Sequence, residues 1–546
     1  MNKFCVKEIV FQGISGLNSG DRNQFDVLLA ALLNKNISND IIKEYIVEFR
    51  KMVSYINKDH ETLIGVLLKL DWNLYDSEFA CLFSSFLTEL VSAKPYYLKS
   101  CVKRLIQQLV PKTEVFDAEF EHLKITFDYA HAALKAISIL APISLKYISE
   151  IFTSNFPYIE KSLFVIKYYI LNALQLTLYM KETRLSILSL IIEKMLSIDV
   201  RIPRASLENQ GEDILQFEDD DLKSSNEHNN DRVLKLDKLM MILFTFIQSS
   251  CLNDGVLVFD TANELSKDLL LVFENVILKT QQSSHVQFII FYFASLNKHF
   301  YEEFLDCCWT ILKNPNKAVI IRQASVSYIA SFLARAKFVD QKVIREQMKK
   351  LSDWILRYIE HQDSNHAVAE IKKHGAFYSA CQALFYVFIY NYKTIFETSN
   401  GIEFAKSLNF SRIIFSRLNP LKFCMETVVS YFARITRLYE VVFCYSIIER
   451  NNRNSLASFS FGNNNISSDN QLEMFFPFDP YLLPKSVCYI EPIYLEWSGR
   501  TQNSSNDEDD YEDIETEASD GNKEKCLISS SFDMMCISPG FQVNNH

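Results

Sequence analysis

Ten histidines, twelve cysteines and sixty-seven carboxylates could furnish a 546-residue chain with catalytic chemistry, but here their spacing does not assemble it. His60-Glu61 opens like the zinc-binding pattern H-E-x-x-H, yet position 64 is Ile, so the second ligand one helical turn on is missing. No two histidines stand four apart, and His361 and His366, five apart, would point to different faces of a helix. The cysteines (5, 81, 101, 251, 307, 308, 381, 424, 444, 488, 526 and 536) contain no C-x-x-C pair, which removes zinc-ribbon and dithiol chemistry. Most sit in apolar stretches, as small core residues of a protein in a reducing compartment do. The twelve glycines never form G-x-G and never stand five apart, so there is no dinucleotide fingerprint, kinase glycine loop or Walker loop. No G-x-S-x-G occurs either. These absences point to a non-enzymatic binding protein without a cofactor or metal.

Phosphate chemistry has clearer candidates. Ser224, Ser504 and Ser505 each carry an acid three residues on, as acidophilic kinases require, and Ser538-Pro539 suits a proline-directed kinase.

The net charge of −11 is unevenly spread. Residues 205–232 hold nine acids and two bases (−7), and residues 501–520 hold nine acids and no base (−9). The other 498 residues carry +5, so the acidity belongs to two segments attached to a mildly basic body.

The elements that would hold this surface are helices. Ile41, Ile42, Tyr45, Ile46, Phe49, Met52, Val53 and Ile56 make one apolar face at a 3.6-residue period, with Lys43, Glu44, Glu48 and Arg50 opposite. Phe79, Leu82, Phe86 and Leu90 repeat the pattern, as do Leu188, Ile191, Met195 and Ile198. Asn314-Pro315 and Asn419-Pro420 read as helix starts with Pro in the first turn, and Asp254-Gly255 as the one candidate hairpin turn. The uncharged run Gly375–Tyr392 just reaches membrane-spanning length, but it contains Ser379, Gln382 and Asn391 and reads as a buried central helix. The start Met1-Asn2-Lys3-Phe4-Cys5 has no apolar signal region.

Roughly twenty amphipathic helices joined by short connections predict an all-α fold, a HEAT-like α-solenoid of stacked antiparallel helix pairs. Two compact helical domains flanking 205–232 are the alternative. The composition divides the chain into a mobile segment 1–22, N-terminal repeats 23–204, a disordered acidic loop 205–232, C-terminal repeats 233–500 and a disordered acidic tail 501–546. Residues 451–470, rich in Asn and Ser, read as a loop. Phe475, Phe476, Phe478, Tyr481 and Trp497, interspersed with four prolines, form a cap at 475–497 that covers the last helices or meets a partner.

Several runs then carry a resemblance: Ile320-Ile321-Arg322-Gln323-Ala324, Ser331-Phe332-Leu333-Ala334-Arg335-Ala336-Lys337-Phe338, His374-Gly375-Ala376-Phe377-Tyr378-Ser379-Ala380-Cys381-Gln382-Ala383, Leu418-Asn419-Pro420-Leu421-Lys422, Val442 through Arg453, and Phe475-Phe476-Pro477-Phe478-Asp479-Pro480-Tyr481. In the N-terminal half, Leu90-Val91-Ser92-Ala93 and Ile191 through Leu196 agree more loosely. In order and spacing these segments, spanning about 25–500, closely resemble the RNA polymerase I-specific transcription initiation factors.

That resemblance implies a nuclear and nucleolar HEAT-repeat protein. It would bind RNA polymerase I near the stalk and link it to the promoter-bound selectivity (core) factor complex. Leu333, Ala334, Arg335, Ala336, Lys337 and Phe338 match a segment implicated in contact with that complex, carried by Arg335 and Lys337 if exposed; otherwise these residues are core. A serine patch on the N-terminal helices implies Ser144 and Ser149 as polymerase contacts. Growth-responsive serines in the tail imply Ser538 as a kinase target. Some members dimerise when free, and direct DNA contact stays open. The rival from another class is a scaffold or nuclear transport adaptor of karyopherin or clathrin-adaptor type.

Overall fold

The computed structural model describes residues 3–34, 37–70, 72, 75–111, 114, 117–203, 220–364, 368–459, 472, 476–478 and 480–497. The chain forms two compact units, Met1–Ile198 and Asp199–His546. The fold is all-α and solenoid-like, with one two-stranded hairpin among the described residues.

The first unit contains α1 (Lys3–Ser19), α2 (Asn23–Leu33), α3 (Asn39–Lys51), α4 (Glu61–Leu67), α5 (Ser77–Ala93), α6 (Leu98–Gln108), α7 (Asp117–Leu140), α8 (Ser144–Ser154), α9 (Leu163–Tyr179) and α10 (Arg184–Asp199), whose last residue already belongs to the second unit. Helices pack on near neighbours in sequence: α1 on α2 and α3, α3 on α5, α5 on α7, and α6 on α7 and α8. That is the contact pattern of stacked repeats. The predicted stripes supply the core, since Ile42, Tyr45, Ile46 and Phe49 of α3 and Phe79, Phe86 and Leu90 of α5 are buried. Asp76 caps α5, its carboxylate accepting from the Phe79 N–H at 2.9 Å.

The second unit contains α11 (Asp220–Cys251), the hairpin strands β1 (Leu252–Asn253) and β2 (Val256–Leu257), α12 (Phe259–Val272), α13 (Phe288–Ser295), α14 (Lys298–Lys313), α15 (Val319–Arg335), α16 (Gln341–Ser364), α17 (Ile371–Phe396), α18 (Gly401–Ser407), α19 (Phe410–Ile414), α20 (Glu426–Leu438), α21 (Tyr445–Phe459) and the short α22 (Val487–Ile490). α17 is the hub, packing against α15, α16 and α20. Its uncharged stretch from Gly375 to Ile389 is buried, and no helix among the described residues is long and apolar enough to cross a membrane. Gly375 explains part of the motif around it. A Cβ there would lie 2.8 Å from Gln323 Nε2 and 3.2 Å from Val319 Cγ1, so a larger residue would have to push these α15 side chains aside. The expected hairpin forms, with Asp254 (φ 48°) and Gly255 (φ 79°) in a primed turn. Cys101, Cys251, Cys308, Cys381, Cys424 and Cys444 are buried, and burial pushes the Cys101 thiol up to about 12. Cys81 and Cys488 are exposed.

Several boundaries differ from the sequence expectation. Residues 3–19, expected to be mobile on account of their glycines, form α1 with Val6, Val10 and Ile14 buried. Gly13 is there for close packing: a Cβ would meet Leu28 Cδ2 at 2.7 Å. The expected acidic loop is helical from Asp220 onward, because the apolar face of α11 (Val233, Leu236, Met240, Phe244) nucleates a helix that runs back into the acidic sequence. Residues 204–219 lie outside the described residues. The Asn-rich stretch after 451 stays helical to Phe459. Asn314-Pro315 does not start a helix; Asn314 ends α14, and its side chain accepts from the Asn316 N–H. Pro420 opens only a three-residue 3-10 turn, and the Asn419 amide pairs with Asn451.

If α1 is a packed repeat, Gly13→Val should force it off α2. The expected cost is about 1–3 kcal/mol, as for other over-packed contacts. Hydrogen exchange of residues 6–19 should rise with a lower thermal midpoint; an unchanged exchange rate would restore the mobile-arm reading.

Candidate functional site

The residues singled out by sequence around 331–338 lie at the end of α15, beside an irregular strap formed by the described residues from 472 to 497. Pro477, Pro480, Pro484 and Pro492 keep this strap from forming a long helix, so its backbone needs partners from elsewhere. α11, the end of α15 and Gln287 just before α13 provide them, while α13 and α17 supply aromatic rings.

Two buried carboxylates organise the contact. Asp237 of α11 is fully buried and accepts from the Lys485 N–H (2.9 Å), the Ser486 N–H (2.8 Å) and the Ser486 hydroxyl (2.5 Å). Asp199 accepts from the backbone N–H groups of Ser284, His285 and Val286 at 3.0, 2.8 and 3.1 Å and lies 2.9 Å from His285 Nδ1. This fixes the turn that carries His285 and Gln287. The His285 ring then meets Tyr481 edge-on at 5.4 Å, and Gln287 Nε2 donates to the Pro477 carbonyl at 2.5 Å. The Tyr481 and Ser486 hydroxyls, 2.6 Å apart, join the two ends of the network.

Aromatic rings fill the space between these polar ties. Phe478 sits among Phe288, Phe291, Tyr328 and Phe332 with centroids 5.0–6.1 Å away, and its N–H donates to the Ser331 hydroxyl at 2.9 Å. Phe476 stacks on Tyr386 at 3.7 Å. Trp497 lies over Tyr390 of α17 and against Tyr431 of α20.

Arg335 closes the strap. Its carbonyl accepts from the Leu495 N–H (2.7 Å), the Lys337 N–H donates to the Ile493 carbonyl (3.0 Å), and Ala336 bridges Tyr494 antiparallel. The Arg335 guanidinium sits 4.6 Å from the Tyr390 ring centre and 5.3 Å from that of Tyr494, and its Nη1 donates to the Leu495 carbonyl at 3.0 Å. Buried cation–π and charge-assisted contacts of this kind are the stronger members of their class.

Leu333, Ala334, Arg335 and Ala336 are buried, Phe338 is half-buried against Phe291 and Tyr301, and Lys337 is exposed. The expectation that Arg335 reaches a partner is therefore corrected: its charge is spent inside the fold, holding the strap. Ser144 is buried at the start of α8, so its hydroxyl does not face a partner. Ser149 is half-buried, and its hydroxyl lies 2.8 Å from that of the exposed Ser186. Ser224 lies on the α11 backbone, while Ser504, Ser505 and Ser538 lie outside the described residues. No group of three or more metal-ligating side chains occurs among the described residues.

Sequence reading missed Asp199, Asp237 and Gln287. Asp237 left one signal, an acid set on the apolar stripe Val233–Leu236–Met240–Phe244, where a solvated charge would not be placed. Asp199 left none, because its donors lie 85–87 residues away.

Arg335→Ala should cost roughly 2–4 kcal/mol, from the lost charge-assisted bond and ring contacts. The Leu495 amide should exchange faster with solvent. Wild-type stability and exchange in this variant would remove Arg335 from its clamping role.

The family model described as RNA polymerase I specific transcription initiation factor RRN3 matches residues 1–502. The mouse RNA polymerase I-specific transcription initiation factor RRN3 is 33% identical, over 96% of this chain and 88% of its own length. The fission-yeast (Schizosaccharomyces pombe) factor rrn3 is 26% identical, over 84% of this chain and 81% of its own. A solved structure titled as RNA polymerase I transcription initiation factor Rrn3 superposes with a TM-score of 0.71, covering 91% of this chain and 99% of that one, at 23% identity.

Proposed function

The chain belongs to the RRN3 family of RNA polymerase I specific transcription initiation factors, and on that premise we propose that it is a non-enzymatic bridge at the ribosomal RNA promoter. One surface binds RNA polymerase I in its stalk region, and another binds the promoter-bound selectivity (core) factor complex. The factor acts in the nucleus, within the nucleolus. The observation that carries this reading is the match of nearly the whole chain to full-length initiation factors. The all-α repeat fold supports it, because stacked helices present long binding surfaces without a catalytic cleft.

Within 333–338, the promoter-factor contact falls to Lys337, with the exposed Leu495 and Glu496 beside it on the strap. The polymerase contact on the first unit falls to Ser149 and its neighbour Ser186, where a phosphate would add charge and hinder binding. Kinases acting on Ser538, Ser504, Ser505 and Ser224 would regulate initiation, and the free factor forms a homodimer as some relatives do.

A pull-down from nuclear extract tests the premise. RNA polymerase I subunits should be recovered; recovery of transport receptors without them would favour the scaffold or transport-adaptor reading. Lys337→Glu tests the bridge. It should weaken binding to the promoter factor by about tenfold, or 1.4 kcal/mol, leave polymerase binding unchanged and keep the thermal midpoint. Undiminished promoter-factor binding would remove this surface from the contact.

A further inference from the structure

We propose that the exposed arginine face at the end of α20 is the docking site of the chain's own acidic segment, residues 501–520. This is an intramolecular contact and does not depend on which partner the factor bridges. Three observations converge on it.

The first is where the chain leaves the fold. Trp497 rests on Tyr390 of α17 at 4.7 Å and on Tyr431 of α20 at 5.7 Å, so the last described residue of the strap lies beside α20. The Trp497 indole N–H is buried and has no acceptor among the described residues.

The second is the surface reached from there. Arg434 and Arg437 follow Tyr431 along α20 by about one and two turns, some 4.5 and 9 Å, and both are exposed. The Arg437 guanidinium lies 5.5 Å from the Tyr445 ring centre. Leu438 (66% exposed), Phe443 (62%) and Tyr445 (45%) are apolar groups open to solvent in the same stretch. Arginine combined with exposed aromatic rings is the composition of interface anchors. Glu397 acts on Tyr439 at the end of α20, and in sequence Glu426 and Glu440 flank the two arginines, Glu449 follows Tyr445 by four residues and Glu496 precedes Trp497.

The third is charge and reach. Residues 385–455 carry nine bases and five acids, a balance of +4, against nine acids and no base in 501–520. The first of those acids, Asp507, is ten residues past Trp497, a maximum span of about 33–36 Å. Reach is therefore no obstacle, and a tether this short gives an effective concentration of about millimolar. That favours the attached segment over a free polyanion of similar charge. Single exposed ion pairs are weak, so the contact must come from several at once and must be sensitive to salt. Phosphate on Ser504 or Ser505 adds about 1.5–2 negative charges each and strengthens it. The docked segment covers Phe443 and Tyr445 until an incoming partner displaces it.

The test uses the full-length chain in four forms: wild type, a variant with all nine acids of 501–520 changed to the corresponding amides, Arg434→Glu/Arg437→Glu, and the combination. Hydrogen exchange is followed across residues 434–446 in low salt and in about 0.5 M salt. In low salt, the amide tail and the arginine reversal should each raise exchange several-fold, and the combination should add nothing further. High salt should bring the wild type to the same level. A labelled 501–520 peptide should bind the amide-tail chain at least about tenfold more tightly than the wild type, whose site is occupied. Equal exchange in the wild-type and amide-tail chains, additive effects in the combination, or equal peptide binding would each overturn the proposal. A duplex oligonucleotide binding α20 equally well with either tail would do so too, since the site would then be open.

Discussion

Asp237 is wholly buried, and a carboxylate in that position is stable only when donors surround it. α11 cannot supply them, because its own backbone N–H groups are committed to the helix. They come from Lys485 and Ser486, some 250 residues further along the chain. The strap is thus part of the second unit's core. The same logic applies to Asp199, whose three backbone donors set the turn presenting His285 and Gln287 to the strap. Removing the strap would leave both an unsatisfied charge and an exposed ring of phenylalanines.

Arg335 shows how such an arrangement changes the meaning of a sequence segment. The family resemblance implies a partner contact at Leu333–Phe338, carried by Arg335 and Lys337 if they are exposed. The backbone of 335–337 instead pairs with 493–495, and the guanidinium lies between two tyrosine rings. The strap covers the first cation and leaves Lys337 at the rim. The exposed surface there is a composite of a helix end and a strap edge, and its shape depends on the clamp remaining closed.

Most of the helices were legible because each carries its evidence locally. The stripe of α3 is written within a few residues, and so is the Asp254-Gly255 turn. α1 was misread because glycine has two uses. Gly13 permits close packing against Leu28, and a sequence does not distinguish that from freedom to move. The start of α11 departs from the expectation because a helix with an apolar face in its second half can extend into polar sequence once its core-facing turns are formed. The candidate site was legible only in part: its residue types were visible at 331–338 and 475–497, but not their pairing with each other or with Asp199 and Asp237.

Sequence alone settled the helical class, the absence of the commonest catalytic motifs and the family resemblance, since periodicity, glycine spacing and ordered motifs are properties of neighbouring residues. Tertiary structure decided which of those residues remain available. Arg335 and Leu495 are 160 residues apart, and Asp237 and Ser486 are 249 apart. Whether a side chain meets water or protein is set by such distant pairings, so Arg335 and Lys337, two positions apart and alike in charge, end up inside and outside the fold.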